Sequence, residues 1–205
     1  MEIPKLVNNV RITKKKKNLS FHPPHSFILL LDIKSATGII NKLVYQTPTR
    51  GLLYAGDIVH GNLDHRLEHL SCYLPGILAL GAFTLPDSDL PPKQKEIFKW
   101  AAHGLAYTCA VSYADQETGL GPDQMTMPRA GRRWMEVVDE WELGGRQGSI
   151  PPGMGEPAPE KDTGKRDYFT VWPNAYFLRP EVRKDDHFFF KFFTLAFHQV
   201  VEHPR

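Results

Sequence analysis

The segment from Lys93 to Tyr113 carries the clearest helical pattern in this 205-residue chain. Its apolar and small residues recur at three- and four-residue spacings, which places them on one face of an α-helix. Pro91 and Pro92 precede the segment, and proline suits the first turn of a helix because its missing N–H would have no partner there. The residues of the apolar face are Ile97, Trp100, Ala101, Gly104, Leu105, Thr108 and Cys109.

Three other segments also predict helices. Residues 27–45 have apolar side chains at helical spacing, although Gly38 weakens the pattern, and a shorter helix is predicted over residues 134–141. Residues 64–83 predict a helix with a kink or break at Pro75-Gly76, because proline disrupts a helix interior. Since strands are scarce in this interpretation, we predict an all-α chain.

The connecting segments are irregular. Leu52 to Tyr54 predicts a short extended piece. Residues 144–166 are rich in glycine, proline and charge, which indicates a long loop. Residues 188–201 contain six phenylalanines, and as a helix this segment would be apolar nearly all round and would need a buried partner.

Composition and charge exclude some classes of function. The net charge of +2 is too small to indicate a nucleic-acid partner, and 41% hydrophobic with 23% charged residues is ordinary for a globular protein. Residues 1–27 are polar and lysine-rich and predict a disordered tail, which leaves residues 28–205 for the folded domain. The apolar run from Phe27 to Leu31 is too short for a signal-peptide core or a membrane span.

Cys72 and Cys109 are the only cysteines in the chain. Two buried thiols would fit the sequence, since free cysteine behaves as a small apolar residue. A disulfide between them would stabilise the fold by about 4 kcal/mol on the loop-entropy model, and would require an oxidising compartment. The residues by themselves leave both interpretations open.

Four segments occur in an order that resembles a known family. They are His69-Leu70-Ser71-Cys72-Tyr73-Leu74-Pro75-Gly76, then Cys109, then Thr118-Gly119-Leu120-Gly121-Pro122-Asp123, then Leu178-Arg179-Pro180-Glu181. The series resembles glycoside hydrolase family 47, the class I α-1,2-mannosidases that trim N-linked glycans. The resemblance covers about residues 36–181 and implies an α/α barrel, the seven-hairpin toroid of the family, of which this chain would supply an incomplete part.

The resemblance implies that Glu181 acts at the scissile glycosidic bond. Inverting glycosidases, to which the family belongs, hold two carboxyl groups roughly 6.5–9.5 Å apart, one as the acid and one to activate water. Glu181 would be one of them, and Arg179 would orient a carboxylate or bind sugar hydroxyls. The family's other key carboxylates and its calcium-binding threonine lie outside the segment matched here. Calcium is therefore the implied cofactor, no ligand to it is expected in this chain, and we expect the isolated chain to be inactive.

Two further residues are implied to bind substrate. His69 would line the substrate cavity, although a core histidine bonded to a backbone carbonyl fits the same pattern. Asp123 lies where the family usually has a glutamate, and its side chain is one methylene shorter. Beyond residue 181 the chain departs from the family, which continues with Thr-Val-Glu-Ser where this sequence reads Val182-Arg183-Lys184-Asp185.

The resemblance also implies a partner and a compartment. The partner would be a high-mannose N-glycan on a glycoprotein, met in the secretory pathway, either the endoplasmic reticulum or the Golgi. Cysteines in the contexts of Cys72 and Cys109 form a disulfide in the mannosidases of that pathway. Family members usually enter it through an N-terminal signal or anchor, and since none is recognisable here, we expect that the N-terminus is missing.

One short motif indicates a different chemistry. His65-Arg66-Leu67-Glu68-His69 matches the H-x-x-E-H pattern of inverted zinc metallopeptidases, in which two histidines lie four apart on one helix face. A third ligand would be needed, and Glu136, Glu140 or Glu142 could supply it. The zinc metallopeptidase is thus a remote alternative, because the motif runs directly into the segment that resembles the mannosidases.

Two other interpretations concern the chain as a whole. It could be a non-catalytic glycan-binding or interaction protein that uses the sugar-binding residues without turnover. Alternatively, residues 1–27 and the last 24 residues could reflect misplaced gene boundaries of a longer protein, as the loss of the pattern after Glu181 suggests.

Overall fold

The computed structural model describes residues 25–148, 150–154 and 166–170. Helices account for most of the regular structure in this part of the chain. The elements in chain order are α1 (His25–Leu43), β1 (Val44–Gln46), β2 (Leu53–Ala55), β3 (Asp57–Val59), β4 (Asn62–Asp64), β5 (Arg66–Glu68), a 3₁₀ helix (His69–Tyr73), α2 (Leu74–Thr84), α3 (Pro92–Ala114), β6 (Gln124–Thr126), β7 (Arg132–Arg133), α4 (Trp134–Leu143) and β8 (Phe169–Thr170).

Three of the four predicted helices form with bounds close to those predicted. The helix predicted over residues 93–113 is α3, and Pro92 occupies its first turn as expected. The segment 27–45 forms α1 from His25 to Leu43, with Gly38 inside it, and 134–141 forms α4. In each case the apolar spacing is a local property of the sequence, so the helix follows from it.

The prediction of an all-α chain is only partly confirmed, because the described residues also contain short strands. They form three small antiparallel sheets with the orders β2–β1–β7, β3–β4 and β5–β6–β8. Each strand has only two or three residues. Strands this short cannot establish a two-residue periodicity in the sequence, which is why most of them were missed. The extended piece predicted from Leu52 is confirmed as β2.

The helix predicted over residues 64–83 is wrong in its first half. Residues 66–68 form β5, in which buried Leu67 pairs with Met125 of β6. His69–Tyr73 is a single stretch of 3₁₀ helix, and the α-helix begins only at Leu74. Pairing with a distant strand has overridden local helix propensity here. Because α2 begins at Leu74, Pro75 lies in its first turn, where proline is tolerated, and the expected break inside a longer helix is absent.

The main hydrophobic core lies among α2, α3, α4 and the first sheet. Thirteen of its fourteen members come from these elements and from the end of α1, and Leu90 lies between α2 and α3. Gly104 lets α3 approach β2, since a Cβ atom at this position would overlap the Leu53 side chain and lie 2.8 Å from the Gly153 carbonyl oxygen. The core residues with the least exposure are Ile40, Val44, Leu53, Leu78, Leu90, Ala101, Ala102, Trp134 and Val138.

A second, smaller core lies beneath the β5–β6–β8 sheet. It joins Leu67 and Met125 of this sheet to Tyr54 of β2 and Val111 of α3, together with three residues adjacent to strands, namely Leu52, Met127 and Tyr168. Two of its members are close in the chain to predicted site residues, since Leu67 precedes His69 by two residues and Met125 follows Asp123 by two.

Several predictions concern other parts of the chain. The described residues of the predicted loop, 144–148, 150–154 and 166, contain no helix or strand. The tail at residues 1–24 and the phenylalanine-rich segment 188–201 lie outside the described residues, and the domain boundary after residue 27 stays a prediction. In the ranges that the structure covers, no helix combines the length and apolar character needed to cross a bilayer.

Candidate functional site

A disulfide links the first two segments of the mannosidase-like series. Cys72 lies in the 3₁₀ helix and Cys109 in α3, and their Cα atoms are 6.1 Å apart. Both residues are buried. The pairing implied by the resemblance is thus confirmed, and it fixes the 3₁₀ helix against the last third of α3.

His69 lies at the start of that 3₁₀ helix and is buried, with 2% of its surface exposed. Its backbone N–H donates to the carbonyl oxygen of Asp123 at 2.8 Å. Its ring Nε2 is joined to the Tyr113 hydroxyl by a hydrogen bond of 2.5 Å, and the two rings meet edge to face at 5.5 Å. Tyr113 of α3 therefore orients the imidazole, whereas the chain before β6 holds the His69 backbone.

The ladder between β5 and β6 explains why His69 and Asp123 meet. Glu68 pairs with Gln124, so in an antiparallel ladder the next residues outward are His69 and Asp123. The Gln124 side-chain amide also donates to the Glu68 carboxylate at 3.2 Å. Asp123 itself is partly buried, and its backbone carbonyl is the acceptor that receives the His69 N–H.

Gly121 brings the third segment onto the same cluster. A Cβ atom here would lie 2.5 Å from the Tyr113 ring, so only glycine allows the 118–123 segment to pack this closely on the aromatic face. Three of the four segments that resemble the mannosidases are therefore in contact. His69, Tyr113 and the disulfide form their common centre, and sequence reasoning had not singled out Tyr113.

The remaining two predicted site residues cannot be located in the same way. Arg179 and Glu181 lie outside the described residues, and their catalytic and sugar-binding roles stay predictions. The last described element before them is β8, which pairs with β6 through Met125↔Thr170 and Thr126↔Phe169. The chain that leads to Arg179 and Glu181 thus leaves the sheet that also positions Asp123.

A buried ion pair, which the sequence did not reveal, fixes the segment that precedes β8. The Arg50 guanidinium contacts both carboxylate oxygens of Asp115, at 2.6 and 3.2 Å, and the two side chains are 1% and 7% exposed. Arg50 also donates to the carbonyl oxygen of Arg166, and Tyr168 donates its hydroxyl to Asp115 at 3.0 Å. Burial, together with the neighbouring Asp115 carboxylate, raises the pKa of Tyr168 well above its ordinary value.

Asp167 completes this network from the other side. One of its carboxylate oxygens accepts the backbone N–H groups of Arg50, at 2.6 Å, and Thr49, at 3.0 Å. Burial by itself would raise the pKa of this carboxyl, but these N–H donors and the hydroxyls of Thr47 and Thr49 outweigh it and hold the pKa below its usual value. Asp167 has a φ of 64°, a left-handed conformation that aspartate tolerates. Residues 49–50 and 166–168 are thereby tied together.

The zinc motif does not form the predicted arrangement. His65 and His69 are not on one helix face, because residues 66–68 are a strand. His65 is bonded through Nδ1 to the Tyr54 hydroxyl at 2.7 Å, and Glu68 is exposed and receives the Gln124 amide. The proposed third ligands Glu136, Glu140 and Glu142 pair instead with Arg133, with Arg132, and with Lys93 and Arg146.

The described residues also offer no calcium site. Across residues 25–148, 150–154 and 166–170, no group of three or more histidine, cysteine, aspartate or glutamate residues is arranged to hold a metal ion. Calcium prefers six to eight oxygen ligands, including several carboxylates. The residues around His69 do not provide this set, so this part of the chain does not fit the ion implied by the resemblance.

The sequence profile of Glycosyl hydrolase family 47 matches residues 30–191, and the chain belongs to this family. Curated relatives include the endoplasmic reticulum mannosyl-oligosaccharide 1,2-alpha-mannosidase of Mus musculus, which is 34% identical over 108 residues. The mannosyl-oligosaccharide alpha-1,2-mannosidase IA of Drosophila melanogaster is 36% identical over 92 residues. These matches cover 51% and 45% of this chain, but only 15% and 13% of the respective relatives.

Proposed function

We propose that this chain is part of a mannosyl-oligosaccharide 1,2-alpha-mannosidase, which removes terminal α-1,2-linked mannose from high-mannose N-glycans with inversion. The observation that carries the proposal is the 2.8 Å hydrogen bond from the His69 backbone N–H to the Asp123 carbonyl oxygen, which joins two of the family's segments beside the Cys72–Cys109 disulfide. Family membership over residues 30–191 and the printed activities of the relatives support the same substrate class.

Each residue has a specific role in this proposal. Glu181 is a catalytic carboxyl group, Arg179 orients a carboxylate or binds sugar hydroxyls, and His69 and Asp123 contact the glycan. Inverting hydrolysis needs a second carboxyl group roughly 6.5–9.5 Å from the first, with a water molecule between them. No second carboxylate of this chain is assigned that role, so the chain by itself binds glycan without efficient turnover.

The proposal also includes the architecture and the compartment. Helices α2 and α3 follow one another in the chain and share the main core, as in the helical hairpins from which an α/α barrel is built, and this chain contributes part of that barrel. The protein acts in the secretory pathway, where a disulfide such as Cys72–Cys109 forms and persists. The endoplasmic reticulum name of the mouse relative supports this location.

The test is to produce residues 1–205 in an oxidising secretory host and measure mannose release from a high-mannose glycan, with and without calcium. Glu181→Gln removes the proposed catalytic group and keeps its shape, and Glu136→Gln, on the exposed face of α4, is the matched control. Release that depends on Glu181 and not on Glu136 supports catalysis by this carboxylate. It would also contradict the expectation that the isolated chain is inactive.

A glycan-binding protein without turnover is the second candidate, and the contact among three family segments favours it for the isolated chain. Titration of a high-mannose glycan into folded protein measures binding by the isolated chain separately from mannose release. Saturable binding without release, weakened by His69→Ala, supports binding only. Neither binding nor release from protein with a helical circular dichroism spectrum would contradict both functions.

A further inference from the structure

Helix α2 is apolar on all sides. Its sequence from Leu74 to Thr84 contains no charged residue. One face of α2 is buried, since Leu78, Ala79 and Ala82 pack in the main core against α3. A helix that is hydrophobic on all sides is normally buried on all sides, so we expect the opposite face of α2 to be covered as well.

That opposite face is exposed in the part of the chain that the structure describes. Ile77 is 63% exposed, Leu80 is 54% exposed, and Leu70 of the preceding 3₁₀ helix is 55% exposed. Spacings of seven and three residues put them on the same side of the helical segment, and we call these three residues the α2 stripe. Single exposed apolar residues are common on protein surfaces, but a continuous row of them marks an interaction site.

We propose that the α2 stripe is the docking surface for residues 188–201 of the same chain. This segment holds Phe188, Phe189, Phe190, Phe192, Phe193 and Phe197, and Lys191 is its only charged residue. Neither surface carries a charge pattern that would select a charged partner. The attraction is therefore hydrophobic, at about 25 cal/mol for each Å² of apolar surface removed from water.

The point where the described chain ends supports an intramolecular partner. Thr170 of β8 pairs with Met125, and Met125 pairs with Leu67, so Thr170 lies about 10 Å from β5 at the usual strand spacing. From β5 the chain continues directly into the 3₁₀ helix and α2. The residues between 170 and 188 span up to about 55 Å when extended, so the segment can reach any part of the α2 stripe.

The lengths of the two surfaces also agree. As a helix, residues 188–201 would be about 20 Å long, and the distance along the helical segment from Leu70 to Leu80 is close to 15–20 Å. Because the segment is tethered, its effective concentration at the stripe is of millimolar order, well above that of a second protein molecule in solution. Tethering thus favours the chain's own C-terminal segment over another copy.

Hydrogen–deuterium exchange on the full chain, followed by mass spectrometry, tests the proposal. In the unmodified protein the backbone of residues 188–201 should exchange at least about tenfold more slowly than an unstructured peptide of the same sequence. Ile77→Lys puts a charge in the centre of the stripe and should remove this protection. Leu143→Lys makes the same change at a residue that is 89% exposed on α4 and should leave the protection intact.

The reciprocal variant is Phe192→Ser with Phe193→Ser, which should speed exchange across residues 70–84, and Phe169→Ser on exposed β8 is its control. If Ile77→Lys unfolds the protein, Ile77→Ser gives the same comparison without a buried charge. Unprotected residues 188–201 in the unmodified chain, or protection that persists in the Ile77 variants, would overturn the proposal. Protection that grows with protein concentration would identify a second copy as the occupant instead.

Discussion

The Arg50 guanidinium and the Asp115 carboxylate form a two-contact ion pair in which both side chains are almost completely buried. The pair joins the turn before β2 to the end of α3, and its remaining hydrogen-bonding groups bind residues 166 and 168. It therefore does more than connect two charges. It fixes the segment from which the chain runs on towards Arg179 and Glu181.

Replacing Arg50 by alanine should strongly destabilise the protein. The substitution leaves Asp115 buried without its counter-charge, which costs about 3–5 kcal/mol in comparable buried pairs. Urea denaturation measures the change in the free energy of unfolding. Arg132→Ala is the matched control, since it breaks the exposed pair with Glu140 and should leave the midpoint unchanged. Equal effects of the two substitutions would show that burial of the Arg50 pair has no energetic importance.

The stability contributed by Asp167 should depend on pH. Its pKa is lower in the folded protein than in the unfolded chain, so the carboxylate stabilises the fold fully above the unfolded value of about 4. This contribution is lost as the pH falls through the lower, folded value. Asp167→Asn tolerates the same positive φ and should flatten the fall in unfolding free energy between about pH 5 and pH 3. An unchanged slope would contradict the assigned hydrogen bonds.

Reduction of the Cys72–Cys109 disulfide should lower the unfolding free energy by about 2–5 kcal/mol, the usual cost of losing a native bridge. The double variant Cys72→Ser, Cys109→Ser should show the same loss. Because the chain has no other cysteine, this variant should be insensitive to added reductant, which makes it an internal control. Denaturation curves with and without reductant measure both effects.

Two glycines within helices should respond to alanine in opposite directions. Gly104→Ala forces a methyl group against Leu53 and the Gly153 backbone, and overpacking of this kind costs about 1–3 kcal/mol. Gly38→Ala meets nothing within 4 Å and should stabilise the protein by about 0.5–1 kcal/mol, since alanine is the better helix former. Thermal unfolding midpoints that shift in the same direction would contradict the packing described for α3.

Removing the Tyr113 hydroxyl should weaken glycan binding more than it weakens the fold. Tyr113→Phe keeps the ring against His69 and Gly121 but loses the hydrogen bond to the imidazole, which contributes about 0.5–1.5 kcal/mol to stability. Loss of this bond should loosen the orientation of the imidazole and lower glycan affinity, measured by calorimetric titration. Tyr107→Phe on the same helix is the control. Unchanged affinity in Tyr113→Phe would mean that the orientation of His69 does not matter for binding.

The sequence allowed prediction of those features that depend on neighbouring residues. Helix α3 could be predicted because its apolar face repeats locally and prolines precede it. Strand β5 could not, because its partner β6 lies far along the chain and its three residues carry no periodicity. The sequence therefore predicts a helix from Arg66 to Glu68, where pairing with β6 instead forms a strand.

The candidate site shows the same division. His69, Asp123 and the two cysteines were predicted through the family resemblance, whereas spacing by itself left Cys72 and Cys109 undecided between thiols and a disulfide. The contacts of Tyr113 with His69 and of Arg50 with Asp115 were not predicted, because no local sequence pattern indicates a contact between residues so far apart in the chain. Even the zinc motif was a coincidence of spacing, since its geometry exists only if residues 65–69 are helical.

The contacts of Asp167 determine when the protein can finish folding during its synthesis. Thr49 and Arg50 bind a carboxylate that follows them by 118 and 117 residues. A ribosome adds about 5–20 residues per second, so several seconds pass between the synthesis of Thr49 and Arg50 and the synthesis of Asp167. During that interval Arg50 and Asp115 can already meet, but the second core remains open until Tyr168 has emerged. A nascent chain stalled before this point would expose that core to chaperones.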